Sequence, residues 1–325
     1  MNCRFDFFQG LKTPNEYARI KAMKLIAQLR LYPNDDQQAL LLQTLEKANA
    51  VCNRLSEIAW ESKTFRQYDL HKLAYHDTRE ETGLTAQMVV RCIAKVADAY
   101  KLDNETQRVF RKHGAIAYDD RLLSWYTDKR QVSIWSVGGR LRVDYKGGQR
   151  QLELLKYRKG ETDLVYRKGA FYLLAVCDIP NPDERDVDTA LGIDMGVVNI
   201  AVTNDGDIFT SEAIEKNRRK HHRLRRDLQR NKSRSTRKKL KRLSGRQRNF
   251  QKDVNHRISK RLVELAERTH RMIAIEDLEG IQKRARAVRK EQRGKHSNWS
   301  FGQLRDFLTY KAKMAGVKLV VVDPR

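Results

Sequence analysis

Acidic residues are the minority charge in this sequence. Its 325 residues carry 41 Asp+Glu against 66 Lys+Arg, for a formal net charge of +25 and a pI near 10.0. Such a chain attracts polyanions over long range, so nucleic acid is the first partner to expect. Cysteine is sparse as well. The four residues Cys3, Cys52, Cys92 and Cys177 lie far apart, with no pair at the two-residue spacing of a metal knuckle. This argues against a disulfide framework and for buried free thiols in a reducing cytoplasm. No apolar run approaches the roughly 20 residues that span a bilayer, and the opening MNCRFDFFQG has no apolar signal-peptide core. These absences exclude a membrane partner and predict a soluble, cytoplasmic protein.

What is present begins with 40% apolar residues and a length that suits two or three domains with at least one sizeable core. Charge is unevenly spread: residues 189–325 hold 35 Lys+Arg against 15 Asp+Glu, and so carry 20 of the 25 net charges. Residues 1–22 show no period and read as an N-terminal arm. MKLIAQLRLYP then alternates as a half-buried strand stopped by Pro33. Asn34 with Gln37 forms a capping-box signal, followed by Leu41, Leu45, Ala48, Cys52, Leu55 and Ala59 at helical spacing. Helical character continues over 66–82 and 85–112. QVSIWSVGGRLRVDY and TDLVYRKGAFYLLAVCDIP read as hairpins turning at Gly138-Gly139 and Lys168-Gly169. The expectation is a small β-barrel from 23–34 and 115–180, a helical insertion over 35–114, and a polar linker over 181–188.

The remainder, 189–325, reads as an α/β domain, making the whole a multidomain α+β protein. LGIDMGVVNIAVTNDG predicts strands 191–195 and 198–203, a turn at Asn204-Asp205-Gly206 and a strand 207–211, an antiparallel meander. Residues 216–260 hold 20 Lys+Arg and two acids, Asp227 and Asp253, with few helix breakers. They predict a basic helical hairpin bent near NKSRST. RISKRLVELAERTHRMIAIEDL predicts a further amphipathic helix feeding a strand 272–276. The basic run QKRARAVRKEQRGKH, a helix 300–315 and a strand VKLVVVD follow.

Asp194 and Glu276 are the two acids set inside apolar strands, in ALGIDMG and RMIAIEDL. A lone buried carboxylate is costly unless paired or bound to a cation. The expectation is that the two strands lie side by side and the carboxylates share a divalent metal site, with oxygen ligands suited to Mg2+. A strand-end acid that caps a helix or bonds loop amides is the plainer alternative. Gly196, two residues on, favours close approach of a backbone or phosphate. Asp277 reads as a solvated loop acid or a cap.

The basic hairpin keeps Leu224, Leu228, Leu240, Leu243, Phe250, Val254 and Ile258, several of them at helical spacing, so one face can pack. Arg223, Arg226, Arg230, Lys238, Lys239 and Arg242 are the candidate phosphate contacts, giving affinity without base specificity. Trp299 reads either as core or as a base-stacking residue. His221, His222 and His256 sit among cations and are assigned no catalytic role.

GIDMGVVNIAVTNDG, the basic helical stretch, IAIEDLEGI and LVVVDPR together resemble the TnpB proteins of IS200/IS605-type transposons, the OrfB transposase family related to CRISPR type V effectors. LRLYPNDDQQALLLQTLEKANAVCNRL resembles that family's opening strand and helix. The resemblance implies a transposon-encoded, RNA-guided DNA endonuclease whose partners are a guide RNA and a double-stranded DNA target, in a prokaryotic, nucleoid-associated setting. It implies that 189–325 is a RuvC domain of RNase H fold, with Asp194 and Glu276 as catalytic, two-metal Mg2+ ligands. In that fold three antiparallel strands are joined by two parallel ones beside the first. The barrel and helical insertion would match the wedge and recognition parts, with base pairing supplying sequence specificity.

In that family a zinc-binding segment with paired cysteines follows VDPR, and a third catalytic Asp comes after it. This sequence shows neither the Zn2+ ligands nor that acid, and Asp323 corresponds to a strand-end turn position. The expectation is a C-terminally incomplete, catalytically impaired protein, with a guided DNA binder and repressor, or a transposon relic, as the alternative. GIDMGVVNIAV also resembles the first phosphate loop of actin-like and sugar-kinase-like ATPases. Residues 207–325 contain no second Asp-Gly-Gly-type loop, and the charge argues against that class.

Overall fold

A computed structural model describes residues 22–180, 182–196, 198–231, 233–277 and 301–322. Cys3, Trp299, Asp323, the basic run 282–296 and nearly all of the expected N-terminal arm lie outside the described residues. The chain forms two compact units, residues 22–179 and the residues from Pro180 onward.

In the first unit, β1 (Ala22–Tyr32) buries Met23, Ala27, Leu29 and Leu31 and exposes Lys24, Ile26, Gln28 and Arg30, the period-two pattern of a one-sided strand. Asn34 then starts α1 (Asp35–Glu61). Its side chain accepts the Gln37 N–H at 2.8 Å, and the Gln37 side chain accepts the Asn34 N–H at 3.2 Å. The helix buries Leu41, Leu45, Ala48, Cys52, Leu55 and Ala59 against α2 (Gln67–Thr82) and α3 (Ala86–Leu102). Cys52, Cys92 and Cys177 are buried free thiols, as expected.

Helical periodicity predicts a helix to residue 112, but α3 ends at Leu102 and Asp103 is extended. Polar side chains of α1 hold the following segment instead. Asn53 both donates to and accepts from the Phe110 backbone, the Ser56 hydroxyl donates to the Arg108 carbonyl at 2.7 Å, and the Asn49 amide donates to the Gly114 carbonyl at 3.0 Å. Asn49 and Ser56 are fully buried, so losing these bonds would leave polar atoms without water at a cost of about 1–3 kcal/mol each.

The sheet of this unit adds β2 (Ile116–Tyr118), β3 (Leu123–Tyr126), β4 (Gln131–Ser136), β5 (Gly139–Lys146), β6 (Arg158–Arg167) and β7 (Ala170–Pro180), with α4 (Gln149–Leu155) between β5 and β6. Its order is β2-β6-β7-β1-β5-β4-β3. The two edge strands, β2 and β3, are consecutive in the chain, so the antiparallel sheet is nearly closed. Both expected hairpins are present. At the second, Lys168 and Gly169 have φ of 52° and 80°, the doubly left-handed turn that matches strand twist.

The second unit opens with residues 182–188, which lack regular structure. Arg185 ties them down: its N–H donates to the Gly316 carbonyl at 3.1 Å and its guanidinium pairs with Glu267 at 3.6 Å. The strands β8 (Ala190–Asp194), β9 (Asn199–Thr203) and β10 (Ile208–Thr210) form the antiparallel meander. Helices α5 (Glu212–Arg230) and α6 (Arg234–Arg268) form a hairpin, followed by β11 (Met272–Glu276), α7 (Phe301–Met314) and β12 (Leu319–Val322). The sheet order is β10-β9-β8-β11-β12, with β11 parallel to both of its neighbours.

The expected separate helix after residue 256 is instead continuous with the second arm of the hairpin, so α6 runs for 35 residues. Its start is capped by Ser233, whose hydroxyl accepts the Thr236 N–H. Within it Gly245 is the single Gly or Pro, and the apolar period is not interrupted. Leu191, Ile193, Ile273 and Ile275 pack with Ile258, Leu262 and Ala266 of α6 and with Leu304, Leu308 and Ala312 of α7 in one core. Lys311 pins the two helices, donating to the His256 carbonyl at 2.6 Å and the Ser259 hydroxyl at 2.7 Å, while the His256 ring stacks on Phe307. Among the described residues no helix is long and apolar enough to cross a membrane.

A Cβ added at Gly245 meets no atom within 4 Å. Glycine in a helix interior costs about 0.5–1 kcal/mol relative to alanine. Gly245→Ala is therefore expected to raise unfolding stability by that amount in a denaturant titration. A lower stability would contradict the packing described for α6.

Candidate functional site

Register places the two singled-out acids. In the parallel β8–β11 pair, Ala274 lies opposite Gly192 and Ile275 opposite Ile193. The next residue of each strand is Glu276 and Asp194. Each is the last residue of its strand, and adjacent strands lie about 4.8 Å apart. By the alternation of a strand, Asp194 and Glu276 share the sheet face of Gly192 and Ala274, whereas Leu191, Ile193, Ile273 and Ile275 enter the helix-covered core on the other. Carboxyl ends of parallel strands are where open α/β sheets bind ligands.

The expectation of a carboxylate buried inside its strand is corrected here. Asp194 is exposed and Glu276 only partly buried, because both stand where their strands end rather than in mid-sheet. The argument from the cost of burial therefore does not hold for Asp194. What remains is a like-charge encounter. Partial burial and the neighbouring Asp194 charge both push the Glu276 carboxyl above its ordinary range. A carboxyl raised in this way favours folding at low pH and loses that contribution as pH rises through its folded pKa.

The backbone around the pair is held tightly. Gly196 N–H donates to the Asn199 carbonyl at 3.0 Å, and a Cβ at Gly196 would lie 3.0 Å from that same oxygen. The glycine is thus explained by the close chain approach after Asp194, without invoking a phosphate. Asp277 N–H donates to the Val322 carbonyl at 2.8 Å, and its carboxylate accepts from Arg305 Nη1 at 3.1 Å. Asp277 is therefore ion-paired, not a solvated loop acid. Arg305 was not singled out in the sequence. Its only signal there is a cation in an otherwise apolar-patterned turn of α7, too weak to read without the pairing.

Among the described residues no group of three or more His, Cys, Asp and Glu side chains is arranged to hold a metal ion. The donor set at the strand ends is two carboxylates. All-oxygen donors with converging negative charge fit a hard, partly hydrated cation such as Mg2+ rather than a thiophilic metal.

The six singled-out cations lie elsewhere in the same unit. Arg223, Arg226 and Arg230 recur at helical spacing along one face of α5, and Lys238 and Arg242 share a face of α6, with Lys239 beside them. All six are exposed, and none has a carboxylate partner among the described residues. The opposite face of α6 carries packing, with Leu243, Val254 and Ile258 buried, while no residue of α5 is buried. His221 lies between Lys220, Arg225 and Arg246, where partial burial and these cations hold its imidazole below the ordinary range. The cations around the ring repel a metal ion.

Residues 174–299 match the family model OrfB_IS605, described as a probable transposase. TnpB-like protein MJ0751 of Methanocaldococcus jannaschii is 29% identical over 127 residues, covering 39% of this chain and 45% of the relative. The chain is thus similar to TnpB-type proteins over this stretch. It spans less than half the length of that curated relative. The Cas12f1–sgRNA–target DNA complex is similar over 88% of this chain and 72% of its own, with a TM-score of 0.54 and 15% identity. That likeness shows a shared α+β fold.

Six exposed cations that each neutralise a phosphate give a log–log salt dependence of nucleic-acid binding with slope about −5. The triple variant R223Q/R226Q/R230Q is expected to lower that slope by about 3. Filter binding at several salt concentrations measures it, and an unchanged slope would remove α5 from the interface.

Proposed function

We propose that this chain is an RNA-guided DNA endonuclease of the TnpB type, in which Asp194 and Glu276 bind Mg2+ and the α5–α6 hairpin binds nucleic-acid phosphates. The observation that carries this reading is the β8–β11 register, which sets two carboxylates on one face at the carboxyl ends of adjacent parallel strands. It is supported by the family match over 174–299 and by the likeness to a fold solved with guide RNA and target DNA.

Asp194 and Glu276 would hold the ion from neighbouring strand ends. Bound Mg2+ supplies activation of a water and stabilisation of the leaving oxygen in phosphodiester hydrolysis. Arg223, Arg226, Arg230, Lys238, Lys239 and Arg242 hold backbone phosphates and contribute no sequence information. Base pairing with a guide RNA supplies that information, and the protein cradles the resulting duplex by shape and charge. The first unit acts in this scheme as the wedge and recognition part, and the setting is transposon DNA in a prokaryotic nucleoid.

One observation favours a second reading, guided binding without cutting: among the described residues no third ligand joins the pair. Two carboxylates leave more of the cation's coordination to water and phosphate, which weakens its hold. Purified with its co-transcribed RNA and Mg2+, the protein is expected to retain a matched duplex and cut it, and D194N and E276Q are expected to retain the duplex uncut. Matched-target retention with no cleavage by the unsubstituted protein would establish the second reading in place of the first.

A further inference from the structure

We propose that Arg305 and Asp277 form a positioning pair that fixes the end of β11, and through it the orientation of Glu276 toward the metal site. The inference rests on the metal-binding reading of Asp194 and Glu276 given above. It starts from a contrast between neighbours. Glu276 and Asp277 are consecutive acids, yet alternation sends them to opposite faces of the sheet. Glu276 shares a face with Asp194, and Asp277 turns toward the side covered by helices, where Arg305 of α7 meets it at 3.1 Å.

Three contacts converge on this strand end. Glu276 is paired in register with Val322 of β12, the Asp277 N–H donates to the Val322 carbonyl at 2.8 Å, and the Asp277 carboxylate is tied to α7. Asp277 is therefore the last residue of β11's ladder and also its side-chain anchor. Arg305 stands in the first turns of α7, four residues after Phe301 and one after Leu304, both buried in the core of the unit. Its position is thus set by core packing rather than by solvent. Side chains of the pair are 28% and 39% exposed, a partly desolvated setting in which a charge-assisted bond orients more strongly than on an open surface.

The geometry also explains why two adjacent acids do not compete for one cation. With its carboxylate engaged by a guanidinium, Asp277 is kept on the far face, and Glu276 alone presents its carboxylate beside Asp194. Removing either member of the pair frees the strand end to tilt and lets Glu276 sample orientations away from Asp194. Neither Arg305 nor Asp277 touches the ion in this account.

The test is Mn2+ binding to the full chain, followed by electron paramagnetic resonance, in D277N, R305Q and the double variant D277N/R305Q, with D194N as reference and thermal melting as the check on folding. D277N keeps the backbone rung and the side-chain shape. Partners of metal-bound ligands typically contribute 10- to 100-fold in affinity; acting one residue removed, each single variant is expected to weaken Mn2+ binding by about 3- to 10-fold. The double variant is expected to match the singles rather than multiply them, because both remove one interaction. At saturating Mn2+ the spectrum of the variants is expected to differ from that of the unsubstituted protein, a change that loss of stability alone would not produce. If D194N abolishes binding while D277N and R305Q leave affinity and spectrum unchanged, or if their losses multiply in the double variant, the positioning role is overturned and the metal site stands. If D194N itself leaves Mn2+ binding unchanged, the metal reading falls and the positioning role falls with it.

Discussion

Two like charges held at the ends of adjacent parallel strands are the feature on which the candidate site depends. Parallel pairing of β8 with β11 is not a local choice, because residues 195–271 separate the strands and include a 35-residue helix. It is stabilised by a shared core in which Leu191, Ile193, Ile273 and Ile275 pack against α6 and α7. Once those side chains enter the core, strand alternation leaves Asp194 and Glu276 together on the opposite face, at adjacent strand ends. Partial burial and, after it, the Asp194 charge hold the Glu276 carboxyl above its ordinary range. A fold that keeps such a pair without a cation gives up stability at neutral pH, as functional sites commonly do.

Charge organises the rest of the second unit in the same way. The α5–α6 hairpin concentrates cations on solvent-facing surfaces; α6 buries Leu243, Val254 and Ile258, whereas no residue of α5 is buried and Leu224 is exposed. Intrahelical pairs such as Arg218–Glu215 and Arg257–Asp253 offset only part of that charge, and exposed pairs of this kind contribute little to stability. The long helix is therefore held by its C-terminal half, where Ile258, Leu262, Val263 and Ala266 are buried in the core. Its N-terminal half and α5 extend a cationic surface whose natural complement is a polyanion.

Much of this was legible in the sequence, for physical reasons that can be named. Alternation and positive-φ turn residues identified the two hairpins of the first unit, and Asn34 with Gln37 identified the start of α1. Acids set inside apolar runs drew attention to Asp194 and Glu276, which the register brings to adjacent strand ends. The failures are equally specific. Strands β2 and β3 have three and four residues, too short for a local period to announce them; β2 pairs with distant β6, Ile116 opposite Leu164, and β3 with its neighbour β4. The end of α3 is set by Asn49, Asn53 and Ser56 on another helix. Asp194 was read as buried because apolar neighbours look alike in the middle of a strand and at its end. Arg305 carries no legible sequence signal because its partner, Asp277, lies 28 residues earlier, at the end of a strand that α7 meets only in the folded chain.

The interaction between Asp194 and Glu276 is measured most directly by carbon-detected NMR titration of the Glu276 carboxyl in the unsubstituted protein and in Asp194→Asn. Glu276 is expected to titrate above the ordinary glutamate range in the metal-free protein, to move down in Asp194→Asn, and to move down in the unsubstituted protein on adding Mg2+. A Glu276 titration that is the same in both proteins and indifferent to Mg2+ would contradict a shared site.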